Sequence, residues 1–139
     1  MHIRCFQSLL IGLVIVSTAW LVGCGNDRPK TIPISGVVTI NGQQPGEFGK
    51  IFFTPTKAAD GYAKRPASGS FDLDGSYRVM SWEPDDGLVP GHYTVNVFPA
   101  DTAKTKIPAK YQQSSTSGLE VDVPMDQSKI DFNIDIRTE

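Results

Sequence analysis

The chain predicts an all-β domain, a seven-stranded antiparallel β-sandwich. Three observations carry this expectation. Apolar and polar residues alternate with a period of two in seven short segments, which sets one face of each on a core and the other in water. Turn-forming pairs, Asn41-Gly42, Asp74-Gly75 and Pro90-Gly91, punctuate these segments. After residue 24, no stretch repeats apolar residues at the three-and-four spacing of a helix.

The first strand has Ile34, Gly36, Val38 and Ile40 on one face, and Asn41-Gly42 turns it. Ile51 and Phe53 mark a second strand that Pro55 should end. Ser68 to Leu73 is a third, with Phe71 and Leu73 sharing a face. Asp74-Gly75 leads into a fourth, where Tyr77 and Val79 alternate with Ser76 and Arg78. Pro90-Gly91 opens a fifth through Tyr93, Val95 and Val97. Leu119, Val121 and Val123 form the sixth, and Ile130, Phe132, Ile134 and Ile136 the last. Two antiparallel sheets around one core close such a set most simply. The gap from Pro99 to Gly118 is long for a plain loop, so it should pack along the domain or hold a short helical turn.

Ahead of this domain lies the chain's only greasy segment. Arg4 and the amino terminus give a positive start, and an apolar run extends from Phe6 to Val22. A signal peptide needs such a start, an apolar stretch of about 7–15 residues and a small-residue exit. The exit here is Leu21-Val22-Gly23-Cys24, which resembles the lipobox of bacterial lipoproteins. That resemblance implies a signal peptide over residues 1–23, cleavage before Cys24, and fatty acylation of its sulfur. A retained transmembrane helix and plain secretion are the alternatives. A spanning helix wants about 20 apolar residues, and Ser8, Gly12, Ser17 and Thr18 weaken this one. One acyl chain holds a protein only marginally, whereas the two or three of a lipoprotein hold it stably. The expected location is therefore the cell envelope. Gly25 after the cysteine leans toward the outer membrane or a periplasm-facing leaflet. Residues 24–31 read as a tether with a mean span of about 15 Å. The domain proper is 32–139, a usual size for one unit.

Composition narrows the chemistry. The formal net charge is −2, and no basic stripe appears, so nucleic acid is not an expected partner. The two cysteines are Cys5, lost with the signal peptide, and Cys24, converted to a thioether. No free thiol would remain for a disulfide, a metal or a nucleophile. His92 is the only histidine after the signal peptide. It opens a strand, is expected to face solvent, and rules out a two-histidine metal site in the mature chain. Asp72-Leu73-Asp74-Gly75 has the look of a calcium-loop start, with Glu83 at its twelfth position. Tyr77 stands where such a loop needs glycine, and a hairpin is the better reading. No metal, cofactor or catalytic residue is assigned.

Binding remains. Phe52 and Phe98 alternate against core residues and should point outward, while Tyr62 and Trp82 lie in loops. Exposed flat rings stack on sugars or mark contact surfaces. Alternatively, loops fold over Phe52 and Phe98 and bury them as a minor core. Lys64, Arg65, Asp85 and Asp86 read as solvated loop charges.

A family resemblance covers nearly all of the mature chain. Ile34-Ser35-Gly36-Val37-Val38-Thr39-Ile40-Asn41-Gly42 with Gln43-Gln44-Pro45 resembles the opening strand and turn of the carboxypeptidase regulatory-like domain. Ile51-Phe52-Phe53-Thr54-Pro55, Asp72-Leu73-Asp74-Gly75-Ser76-Tyr77 and Leu88-Val89-Pro90-Gly91-His92-Tyr93 are similar to its later elements. Ile107-Pro108-Ala109-Lys110-Tyr111 and Thr116-Ser117-Gly118-Leu119 resemble the tail of small bacterial lipoproteins that carry it. The resemblance implies a transthyretin-like, prealbumin-type sandwich without peptidase activity. Transthyretin-like hydrolases use several histidines and a carboxyl-terminal motif that Asp135 to Glu139 lacks. The functional expectation is a non-catalytic, lipid-anchored structural or protein-interaction module. A carbohydrate-binding module using exposed aromatics is the alternative.

Overall fold

The computed structural model describes residues 28–138. The expected signal peptide and the lipidation site Cys24 lie outside the described residues. Eight strands form: β1 (Ile34–Ile40), β2 (Gly49–Ala58), β3 (Ala67–Phe71), β4 (Ser76–Met80), β5 (Gly91–Pro99), β6 (Leu119–Val123), β7 (Ile130–Asp131) and β8 (Ile134–Ile136). They join in the order β6-β5-β2-β3-β4-β1-β7, with β8 also on β1. The result is one mixed sheet curled into a nearly closed barrel.

The expectation of seven antiparallel strands is corrected here. The last strand is split in two, and both halves run parallel to β1. Period-two alternation is blind to strand direction, so the pattern is the same either way. The break falls at Phe132-Asn133, where the Asn133 side-chain oxygen accepts the Val37 N–H at 2.9 Å in place of a backbone carbonyl. Gly36 permits the close approach. A Cβ there would lie 2.0 Å from the Phe132 carbonyl oxygen.

Two further expectations change. Pro55 does not end β2, which continues to Ala58 with a register shift against β5 between Pro55 and Lys57. Proline lacks an N–H, and a local irregularity is where a strand accommodates it. Leu73 does not share the core face with Phe71. β3 stops at Phe71, and Leu73 sits exposed in the hairpin. The Asn41-Gly42 turn forms as predicted, with both φ angles positive, 51° and 76°. The long gap after β5 holds a single 3-10 turn, Ala109–Gln112, which buries Tyr111.

The inward residues of every strand meet in one core. Phe53, Tyr93, Val95 and Val97 of β2 and β5 face Ile34 and Val38 of β1 and Ile134 and Ile136 of β8. Each such side chain contributes about 1.5–3 kcal/mol by leaving water. Strand direction gives the barrel two distinct ends. At the proximal end β1 begins, next to the Ile32–Leu88 bridge, and β2 and β4 finish while β5 starts. At the distal end lie the Asn41-Gly42 turn, the start of β2, the β3–β4 hairpin and the segment after β5.

Candidate functional site

The four aromatic candidates do not form one site. Phe52 and Phe98 stand on the outer face of the β2–β5 pair, where Phe52 opposes Asn96 and Phe98 opposes Lys50. They are therefore diagonal neighbours, about 7–8 Å apart along the sheet. No loop buries them: Phe52 is 39% and Phe98 43% exposed. Tyr62 and Trp82 lie at the proximal end and are half-buried.

Trp82 is held within its loop. The Arg65 guanidinium sits 4.6 Å over its ring and donates to the Ser81 carbonyl at 2.7 Å. The Asp86 carboxylate accepts from the backbone N–H groups of Ser81, Trp82 and Glu83 at 2.6, 3.0 and 3.1 Å. Arg65 and Asp86 are thus ties of the β4–β5 loop rather than free surface charges. Asp85 pairs with Arg78 at 3.0 Å.

Phe48 escaped the sequence reading, which places Leu73 beside Phe71 on one face of the third strand. Phe48, 53% exposed, and Leu73, 50% exposed, share the distal end with Phe98. The backbone fixes them there. Gly46 N–H donates to the Leu73 carbonyl at 3.1 Å, and Ala100 N–H to the Phe48 carbonyl at 2.9 Å. Phe48 stands between two shallow grooves. One, of about 310 Å³, it shares with Leu73 and Ala100; the other, of about 430 Å³, with Phe98 and Pro99. The signal available in the sequence was a phenylalanine outside any alternating segment, within Gly46-Glu47-Phe48-Gly49.

A third surface is polar. On the outside of β3 and β4, a groove of about 590 Å³ is lined by Lys50, Ser68, Ser70, Asp72, Arg78 and Asp85, among others. The Asp72–Gly75 segment beside it is a hairpin turn. Gly75 N–H donates to the Asp72 carbonyl at 2.8 Å, and Asp74 accepts from Ser76 N–H and Oγ at 2.9 and 2.8 Å. Those bonds hold the Asp74 carboxyl below its ordinary range, the backbone bond from Ser76 first. Among the described residues, no group of three His, Cys, Asp or Glu side chains is placed to hold a metal ion. No helix of the described residues is long and apolar enough to cross a membrane.

His92 lies half-buried at the proximal end, directly across from Asp122 of β6. Its Nδ1 is 2.6 Å from the Asp122 carboxylate, and Nε2 is 3.5 Å from Glu120. The hydrogen bond to Asp122, aided by the charges of Asp122 and Glu120, raises its pKa above the ordinary 6.5. A histidine raised on folding stabilises the fold fully below its unfolded pKa. That contribution is lost as pH rises through the higher folded value. Urea midpoints of the wild type minus those of His92→Gln should therefore be largest near pH 5 and shrink above neutrality. A difference that is flat from pH 5 to 9 would contradict this coupling. The Asp122 and Glu120 carboxylates are exposed, so added salt should reduce the effect.

Comparison of the chain with family models, with curated proteins and with solved structures finds no match.

Proposed function

We propose that the chain is a lipid-anchored, non-catalytic interaction module of the cell envelope. Cys24 fixes it to a bilayer, and its distal end is offered to a protein partner. One observation carries the second half: Phe48, Leu73 and Phe98 are exposed together at the end opposite the start of β1. A tether on the proximal side points that apolar cluster away from the lipid. Small exposed apolar groups scattered singly mean little, whereas rings gathered around grooves are how contact sites are built. On this reading the fold is a variant of the carboxypeptidase regulatory-like, transthyretin-like sandwich, its final strand split and turned parallel to the first. The carbohydrate-binding alternative draws on the polar groove of β3 and β4, which adjoins the Phe48 and Phe98 groove.

The test is made on the full chain in membranes. Wild type should incorporate labelled palmitate, and Cys24→Ser should abolish the label and release the protein to the soluble fraction. A photo-crosslinking residue in place of Leu73 should trap one discrete protein adduct. The same residue in place of Asp126, at the proximal end, should not trap it. Phe48→Ser with Phe98→Ser should weaken the captured complex at least about 30-fold, as expected for losing two buried anchors of about 1–2 kcal/mol each. Unlabelled wild type would remove the anchor from the proposal. A membrane-bound chain with no distal adduct would remove the interaction role.

A further inference from the structure

We infer that the groove on the outer face of β3 and β4 is a binding site for a neutral oligosaccharide. It adjoins the apolar groove of Phe48 and Phe98, sharing Lys50, Ser70 and Asp72 with it, but its own chemistry is polar.

The groove is in the middle of the sheet. β3 is paired on both sides, by β2 and β4, and β4 by β3 and β1. Their backbone groups are consumed by the sheet, so no free strand edge is on offer to an extended peptide. Recognition there must come from side chains. Those side chains balance in charge: Lys50 and Arg78 against Asp72 and Asp85. An anionic ligand would meet two carboxylates and a cationic one would meet two cations. Neither sign is favoured, which points to a neutral polar ligand.

The remaining chemistry describes what such a ligand carries. Ser68 and Ser70 place short hydroxyls along the groove, each able to donate and accept, while the Ser76 hydroxyl donates to Asp74 and is left as an acceptor. The Arg78 guanidinium is held by Asp85 at 3.0 Å. Together they present fixed donors beside fixed acceptors, the pattern that adjacent sugar hydroxyls satisfy in pairs. Met80 supplies an apolar wall, and Phe52, paired with Ser68, lies on the neighbouring strand with its ring partly open to water. A pyranose has hydroxyls at its edge and an apolar C–H face, so it matches a ring beside a hydroxyl-lined trough. The volume of about 590 Å³ falls within the about 300–1,000 Å³ of small-ligand sites.

The experiment uses the full chain in detergent against an array of neutral oligosaccharides of the gluco-, galacto-, manno- and N-acetylhexosamine series, with acidic oligosaccharides alongside. Hits are then titrated by calorimetry. Wild type should bind at least one neutral series. Arg78→Gln and Asp85→Asn should each weaken that binding about tenfold, the loss of one charge-assisted hydrogen bond. Both side chains are more than half exposed, so neither change should alter the thermal melt. Asp85 has a φ of 64°, which asparagine tolerates. Leu73→Ser, in the distal groove that shares no residue with this one, and Cys24→Ser should bind as wild type does. That separates failure of this site from failure of the tethered-interaction reading. Silence of wild type across the array, preference for the acidic sugars, or binding indifferent to both groove variants would each overturn the assignment.

Discussion

Gly87→Ala is expected to destabilise the domain by about 3–5 kcal/mol, lowering its melting temperature by more than about 12 °C. Gly87 has a φ of +86°, and an added Cβ would lie 1.9 Å from the Ile32 carbonyl oxygen. A positive φ costs an L-residue about 1–2 kcal/mol. The clash is with backbone, which cannot swing aside as a side-chain tip would. Relief requires moving Ile32, which exchanges two backbone hydrogen bonds with Leu88 at 2.8 and 3.0 Å. Each is worth about 1 kcal/mol. Ile32 and Leu88 are both fully buried, so opening the bridge also unpacks the core beneath it. The bridge is where the amino-terminal segment is fastened to the barrel. On the tethered reading, a chain with this bridge open hangs from a longer and looser leash. A melt within a degree of wild type would show that the loop absorbs the methyl, and the fastening role would fall with it.

That fastening was invisible in the sequence, and the reason is physical. Local pairs such as Asn41-Gly42 and Asp74-Gly75 carry their conformation in their own side chains, so the turn and the hairpin were legible. The bounds of β1 were legible too, since Ile34, Val38 and Ile40 must all reach one core. Bridges such as Ile32 to Leu88 join residues far apart in the chain, and no local pattern marks them. The same holds for direction. Ile130, Ile134 and Ile136 alternate correctly, yet nothing in alternation tells parallel from antiparallel, and the split at Asn133 depends on a single amide meeting Val37.

The candidate surfaces divide in the same way. Phe52 and Phe98 face outward because their immediate neighbours, Ile51 and Phe53, Val97 and Pro99, face inward, a rule of strand geometry. Leu73 broke the rule because β3 ended two residues earlier, once the Asp72–Gly75 turn took over the backbone. Phe48 belongs to no alternating segment. Its partnership with Phe98 and Leu73 exists only after three separate connections converge at the distal end. Trp82 was legible as a loop residue, but its cover by Arg65 was not, because that cation arrives from another loop.

Tyr93→Ala is expected to cost about 3–5 kcal/mol, the range for emptying a buried aromatic site, and Tyr93→Phe about 1–3 kcal/mol. Tyr93 is among the largest fully buried side chains, and its hydroxyl donates to the Val89 carbonyl at 2.7 Å. The alanine variant opens a cavity in the middle of the core. The phenylalanine variant keeps the packing and leaves one buried carbonyl without its donor. Equilibrium urea unfolding should therefore rank wild type above Tyr93→Phe and Tyr93→Phe well above Tyr93→Ala. Burial also pushes the Tyr93 phenol up to about 12. A phenol raised on folding stabilises the fold below its unfolded value near 10 and loses that contribution as pH climbs through the folded value. Wild type should accordingly weaken between pH 10 and about 12, and Tyr93→Phe should weaken less. Equal costs for the two substitutions would mean that the hydroxyl, not the ring, carries the site. β5 runs the length of the barrel from His92 to Phe98, flanked by β2 and β6. Loosening it at Tyr93, the third of its nine residues, should disturb the proximal end, whereas removing the exposed ring of Phe98 should leave the fold intact.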